Sequence, residues 1–196
     1  MPDGRRDVPD GLTPGAKRAR KEFLAVYGRY IEEPRAQVSL NVLVWGPSPT
    51  SASAAAKKRI QVRDTLVTLG HHAAFSEDLP SPSGRMSEKT KEYAQARAAN
   101  LIVIFIEGAP GATAELHDFS SDLEIYHKIM VLVPVEYRKG YSARGAIQEL
   151  EDATSGGGVL WYREGDLEKC RVLTAVVKRA EALRIFKFRQ TRHANL

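Results

Sequence analysis

Residues 100–119 read Asn100-Leu-Ile-Val-Ile-Phe-Ile-Glu-Gly-Ala-Pro-Gly-Ala-Thr-Ala-Glu-Leu-His-Asp-Phe119. Positions 101–106 form an unbroken apolar run rich in β-branched residues. Such a run predicts a strand buried on both faces, the usual state in a parallel sheet. The segment Glu107-Gly-Ala-Pro-Gly111 breaks it. Gly108 and Gly111 admit unusual dihedrals, and Pro110 fixes φ and ends sheet pairing. From Ala112 the composition turns helical, with Ala114, Glu115 and Leu116 in the first turn or two. Glu115 is thus expected just past the carboxyl end of a central strand and near a helix N-terminus, where open α/β sheets bind ligands. The helix dipole favours an ionised carboxylate there. A solvated helix-start glutamate is the common alternative. The small, Gly-rich loop and the apolar strand before it argue for a site.

Outward from this stretch, strands and helices alternate. Residues 38–45 predict the first strand, which Gly46-Pro47-Ser48-Pro49 breaks. A helix follows over 53–69, with Ile60, Leu66 and Leu69 inward, Lys57, Lys58, Arg59 and Arg63 outward, and Gly70 as its C-cap. A short strand over 71–75 leads through Ser76-Glu77-Asp78 into a Pro/Ser/Gly-rich loop ending at Arg85. Ser87 caps the next helix, over 89–99. Beyond Glu115 come a buried strand over 128–135, a helix over 141–152 closed by Gly156-Gly-Gly, and a strand over 159–162. The closing helix spans 167 to about 186, with Leu173, Val176, Val177, Ala180 and Leu183 on its core face. Ahead of all this, residues 1–15 lack periodicity and are expected to be disordered or draped on the surface. Thr13-Pro14 caps a helix over 15–32 with Phe23, Leu24, Tyr27 and Ile31 as its apolar stripe, and Pro34 ends it.

The alternation predicts an α/β fold, flavodoxin-like or Rossmann-like, with a parallel five-stranded sheet and helices on both faces. The domain reading is an N-terminal extension with one helix (1–37), the α/β domain (38–186) and a basic C-terminal tail (187–196). At 196 residues and 43% hydrophobic content the chain can bury a full core. No apolar run reaches the length of a bilayer span and no signal-peptide core is seen, so a cytoplasmic protein is expected. The single cysteine, Cys170, excludes an intramolecular disulfide and a cysteine-based zinc site, and is expected as a small core residue. The 29 Lys and Arg exceed the 24 Asp and Glu, and the excess sits at the two ends. These ends are read as a solvated helix face and a frayed tail, and direct nucleic-acid binding is not expected.

No P-loop, dinucleotide fingerprint or Gly-x-Ser-x-Gly turn is present. The five histidines lack zinc-ligand spacing, so no metal and no resident cofactor are expected. Two stretches do stand out: Val42-Leu-Val-Trp-Gly-Pro47, and Ala99-Asn-Leu-Ile-Val-Ile-Phe-Ile-Glu-Gly108 followed by Gly111-Ala-Thr-Ala-Glu-Leu116. Together, over about residues 40–134, they resemble the nucleoside 2-deoxyribosyltransferase family. That family has a first strand ending in Ala-Gly-Pro, then Ala-Asp, an apolar run and Asp-Gly, then Gly-Thr-x-x-Glu. Its last glutamate attacks the anomeric carbon of the sugar. The resemblance implies that Glu115 is the nucleophile, that Gly46 and Pro47 form the first-strand turn, and that Glu107 and Gly108 match the Asp-Gly. Asn100, Ala109 and His117 depart from the family pattern, and Ala109 stands where classical members carry an acid. These departures fit a divergent branch that hydrolyses N-glycosidic bonds, as some effectors of bacterial anti-phage systems do. The sheet with one glutamate is also similar to Toll/interleukin receptor domains that cleave NAD, although their Ser-x-x-Trp-Cys is missing.

One carboxylate suffices for such chemistry. Breaking an N-glycosidic bond builds oxocarbenium character on the ribose, which an ionised carboxylate can stabilise or bond to. Nicotinamide leaves neutral and needs no general acid, whereas a purine or pyrimidine benefits from one. NAD is therefore a candidate substrate beside nucleosides and nucleotides. Backbone N–H groups over 111–113, including that of Thr113, are candidates for holding a phosphate. Ser48, Ser51, Glu77 and Asp78 are candidates for ribose hydroxyls, although each is also an ordinary cap or turn former. A catalytically silent nucleotide- or partner-binding module is the alternative function. A homo-oligomer or an activating protein partner is compatible with either.

Overall fold

The computed structural model describes residues 13–80, 87–119, 122–140, 145–154 and 157–193. The irregular start over 1–12, the loop over 81–86, positions 141–144 of the expected helix, Gly156, and the last residues of the tail (194–196) lie outside them.

Five strands form one sheet: β1 (Asn41–Trp45), β2 (His72–Ala74), β3 (Leu101–Phe105), β4 (Ile129–Pro134) and β5 (Val159–Tyr162). The order is β2-β1-β3-β4-β5 and every pair is parallel. This is the flavodoxin-like order. Every residue of β3 and β4 is buried. Side chains alternate between the two faces of a strand, so both faces of the sheet centre must be covered. The register sets Trp45 beside Ile104, and Phe105 beside Leu132. The chain leaves β1 toward β2 on one side and returns to β3 on the other. The order therefore reverses between β1 and β3, and their carboxyl ends flank the switch point.

The helices are α1 (Pro14–Tyr27), α2 (Glu33–Gln37), α3 (Ala54–Thr68), α4 (Glu88–Ala98), α5 (Pro110–Phe119), α6 (Leu123–Tyr126), α7 (Ala146–Ala153), α8 (Glu164–Glu168) and α9 (Arg171–His193). The caps expected at Thr13 and Ser87 are present: they accept from the N–H groups of Ala16 and Thr90 at 3.3 and 3.2 Å. Ser53, expected as the first residue of its helix, also caps it, accepting from the Ala56 N–H at 3.2 Å. Gly70, at φ +83°, follows the end of α3.

Four expectations are corrected. Pro34 does not end the first helix; a π-helical turn at Gly28–Glu32 leads directly into α2. Proline has no N–H to give, and the wider turn absorbs the register change in a π-bulge. The closing helix is two helices. Asp166 accepts from the Arg163 N–H at 3.0 Å and pairs with Arg171 at 3.3 Å, fixing the single turn of α8 before α9 begins. That break leaves Cys170 exposed rather than in the core. The C-terminal segment continues as helix to His193 instead of fraying near 186.

Contacts divide the chain into two units, one of residues up to Val38 with those from Ile185 onward, the other Ser39–Arg184. The larger unit holds eighteen basic and eighteen acidic residues, so the net charge of +5 lies wholly in the smaller one. Within the smaller unit Arg192 pairs with Glu33 at 3.4 Å, and Arg189 lies over the Tyr30 ring. Among the described residues no helix is long and apolar enough to cross a membrane.

A buried polar knot closes the larger unit. His71 Nδ1 accepts from the Leu40 N–H at 3.3 Å and lies 3.0 Å from Arg184 Nη2, which also donates to Leu69 O at 2.6 Å. The imidazole proton therefore sits on Nε2, 3.7 Å from Glu181. Burial, then the Arg184 charge, push the His71 pKa down from 6.5 to about 4, against an opposing pull from Glu181. Between those values the unfolded chain binds a proton that the folded one refuses. Stability is thus whole above pH 6.5 and falls as pH drops toward 4, by about 3 kcal/mol in all. Urea denaturation at pH 7 and 4.5 should show this slope in the wild type and a flatter one in His71→Gln. Equal slopes would remove His71 as its source.

Candidate active site

The carboxyl ends of β1 and β3 open on a cavity of about 340 Å³. Its floor is Trp45 and the Gly46-Pro47-Ser48 turn, its walls are Arg59 of α3 and Ser76-Glu77 after β2, and its far side is 108–112 with Glu115 of α5. The turn is built for closeness. Gly46 has φ +151°, and a Cβ there would lie 2.8 Å from Phe105 Cβ. Only glycine lets β1 leave the sheet so near β3. Gly108, at φ +67°, turns the chain from β3 into α5. Trp45 stacks on Phe119 of α5 at 5.5 Å between centroids, and its Nε1 is buried without a hydrogen-bond partner.

Arg59 organises one wall. Its side chain is 1% exposed. Nε and Nη2 donate to Val44 O at 3.1 and 2.7 Å, and Nη1 donates to Pro47 O at 2.9 Å. Nη1 and Nη2 grip the two Glu77 oxygens at 2.8 Å each. The guanidinium also lies 4.1 Å above the centre of the Phe75 ring. Burial pushes the Glu77 carboxyl up, but hydrogen bonds from Arg59 and the backbone, with the Arg59 charge, outweigh it and hold the group below its ordinary value. Glu77 is an anion at neutral pH.

Glu115 is different. It lies in the second turn of α5, because the helix starts at Pro110 rather than Ala112. The dipole is weaker there than at the first turn. Burial, then the charge of Glu92 and a hydrogen bond with it, push the Glu115 pKa from 4.5 up to about 7; Arg59 pulls against this and Glu77 adds to it. The expected low-pKa carboxylate is thus corrected to one poised near neutrality. Below about pH 7 Glu115 keeps its proton, which it can donate toward Glu92 of α4.

Of the residues read as substrate-binding, Gly46, Pro47, Ser48, Glu77, Gly108 and Gly111 line the cavity with Glu115. Four, with Ser51, are not part of its lining. Ser51 Oγ accepts from the Ser53 N–H at 3.3 Å. Asp78 faces Arg63 at 3.9 Å. The Thr113 N–H and hydroxyl both go to Ala109 O, at 3.2 and 3.3 Å, so its amide is committed within the helix. Glu107 accepts from Tyr162 Oη at 2.7 Å and lines a second cavity, of about 330 Å³, with Pro134, Glu136 and Tyr137. Burial and that hydrogen bond raise the Tyr162 hydroxyl far above its usual range.

Two functional candidates are absent from the sequence reading. Arg59 was assigned outward with its basic neighbours. Yet it falls on the stripe of Ala55, Val62 and Leu66, all buried, so helical spacing signals its burial. Glu92 had no such signal, since nothing local ties α4 to α5. Among the described residues no three His, Cys, Asp or Glu side chains gather to hold a metal.

A family model, the STM3845 retron effector protein, matches residues 87–196, more than half of the chain. The chain belongs to the STM3845 retron effector protein family. Membership suggests an anti-phage effector role. The match covers Glu92 and Glu115, and leaves Arg59 and Glu77 outside it. No curated protein is similar enough to the sequence to match it.

Proposed function

We propose that this retron effector cleaves the N-glycosidic bond of a nucleoside, nucleotide or NAD, with Glu115 as nucleophile. The observation that carries the proposal is a half-buried carboxyl group, poised near pH 7, in a cavity at the switch point of a parallel sheet. The resemblance to nucleoside 2-deoxyribosyltransferases around the same residue supports it.

In the proposed reaction a Glu115 oxygen bonds to the anomeric carbon as the bond from that carbon to the base nitrogen breaks. The base leaves with the electron pair. Water then hydrolyses the sugar ester, or a second base takes the sugar. With Ala109 in the place of an acid, a departing purine or pyrimidine lacks a proton donor. Nicotinamide departs neutral and needs none.

The test is incubation of the purified protein with NAD, nucleosides and nucleotides, followed by chromatography of released base. Since attack needs the ionised form, release should rise about tenfold per pH unit below about 7 and level off above. Glu92→Gln removes the neighbouring charge that raises Glu115, so the rising limb should move to lower pH. A limb that stays in place would exclude Glu92 from the site.

A further inference from the structure

Arg59 is the only cation lining the cavity among the described residues, and it has nothing left to give a ligand. A guanidinium carries five N–H groups. Here the five are directed to Val44 O twice, Pro47 O once and the two Glu77 oxygens. Such a residue positions its neighbour and does not clamp a phosphate. Its fork takes one lone pair from each Glu77 oxygen and sets the plane of the carboxylate. The Glu77 side chain remains 43% exposed at the cavity wall. Its contact with Ser76 Oγ is long at 3.5 Å and readily displaced. Glu77 is therefore a fixed anion that only accepts hydrogen bonds. The ligand group that fits it is a pair of neighbouring hydroxyls.

We infer that Glu77, positioned by Arg59, receives the 2′- and 3′-hydroxyls of a ribofuranosyl group, so that the cavity selects ribonucleosides and their derivatives over 2′-deoxyribonucleosides. This rests on the N-glycosidase reading of the same cavity. With the diol on Glu77, the sugar spans the cavity toward Glu115 on the opposite side. A 2′-deoxy sugar covers the carboxylate without matching one of its acceptors, a loss worth roughly tenfold in affinity.

Binding separates this inference from the chemistry. Glu115→Gln, which keeps the cavity but lacks the nucleophile, is titrated calorimetrically with adenosine, 2′-deoxyadenosine, uridine, 2′-deoxyuridine and NAD. Ribo ligands should bind about tenfold more tightly than their deoxy partners. Adding Glu77→Gln should abolish the preference in a variant that still melts as a folded protein, whereas Glu77→Asp, which keeps the charge beside Arg59, should retain part of it. Adding Arg59→Lys, which keeps the charge but loses the fork, should weaken the preference too. Equal or reversed affinities, a preference that survives Glu77→Gln, or no binding of any of the five up to millimolar concentration would overturn the inference. Glu77-dependent ribo preference in a protein whose wild type releases no base would uphold it and defeat the N-glycosidase reading alone.

Discussion

Glu115→Gln should lower base or nicotinamide release by roughly a hundredfold or more and, at pH 8, should make the protein more stable than the wild type. The first effect follows from the proposed role. A preorganised carboxylate opposite a developing oxocarbenium ion is typically worth several kcal/mol, and glutamine keeps the size but not the charge. The second follows from the pKa. The folded carboxyl holds its proton up to about pH 7, whereas the unfolded one loses it near 4.5. Between those values the folded state binds more protons, so stability declines as pH rises and the full cost is present above 7. Discounted for partial solvent access, that cost is about 2 kcal/mol, or about 4–8 °C in melting temperature for a chain of this size. At pH 5 most of the difference should vanish. A solvated glutamate at a helix start contributes only about 0.3–1 kcal/mol through the dipole; burial and the Glu92 charge give Glu115 a larger effect of opposite sign. Turnover unchanged in a well-folded variant would remove Glu115 from the mechanism. A melting difference independent of pH would show that the carboxyl is not held protonated.

What the sequence made legible was local or periodic. Residues 101–106 can bury six apolar side chains in succession only at a sheet centre. That placement, with the strand–helix alternation, was enough for the architecture. The caps at Thr13 and Ser87 were legible because a cap is satisfied by an N–H three residues away. The misses needed partners far along the chain. Arg59 joins a basic run, and its burial is tolerable only because Val44, Pro47 and Glu77 accept all its donors. Glu92 meets Glu115 across two helices. Glu107 was assigned to the nucleophile's cavity by its place in a motif, but Tyr162, at the end of the edge strand β5, draws it to the other cavity. Sequence distance hides each of these pairings.

The largest stability effect should come from Arg59→Met. Methionine fills much of the same volume and keeps contact with Phe75, so the change removes the donors more than the packing. Val44 O and Pro47 O then lose their side-chain partner at the carboxyl end of β1, and Glu77 keeps its charge with no counterion. Stripping one member from a buried pair typically costs about 3–5 kcal/mol. Glu77 is partly exposed and can relax into water, so a loss of about 3 kcal/mol is expected here. The Glu77 carboxyl should titrate higher in the variant, because burial then acts on it without the arginine. The check is urea denaturation of wild type, Arg59→Met, Glu77→Gln and the double variant at pH 7. Once Glu77 is neutral, removing Arg59 leaves no stranded charge, so the double variant should lose less than the two single losses together, by about 1–2 kcal/mol. If Arg59→Met stays within about 1 kcal/mol of wild type, the guanidinium is not what holds the first-strand turn and Glu77 in place, and the wall of the cavity must be supported by packing alone.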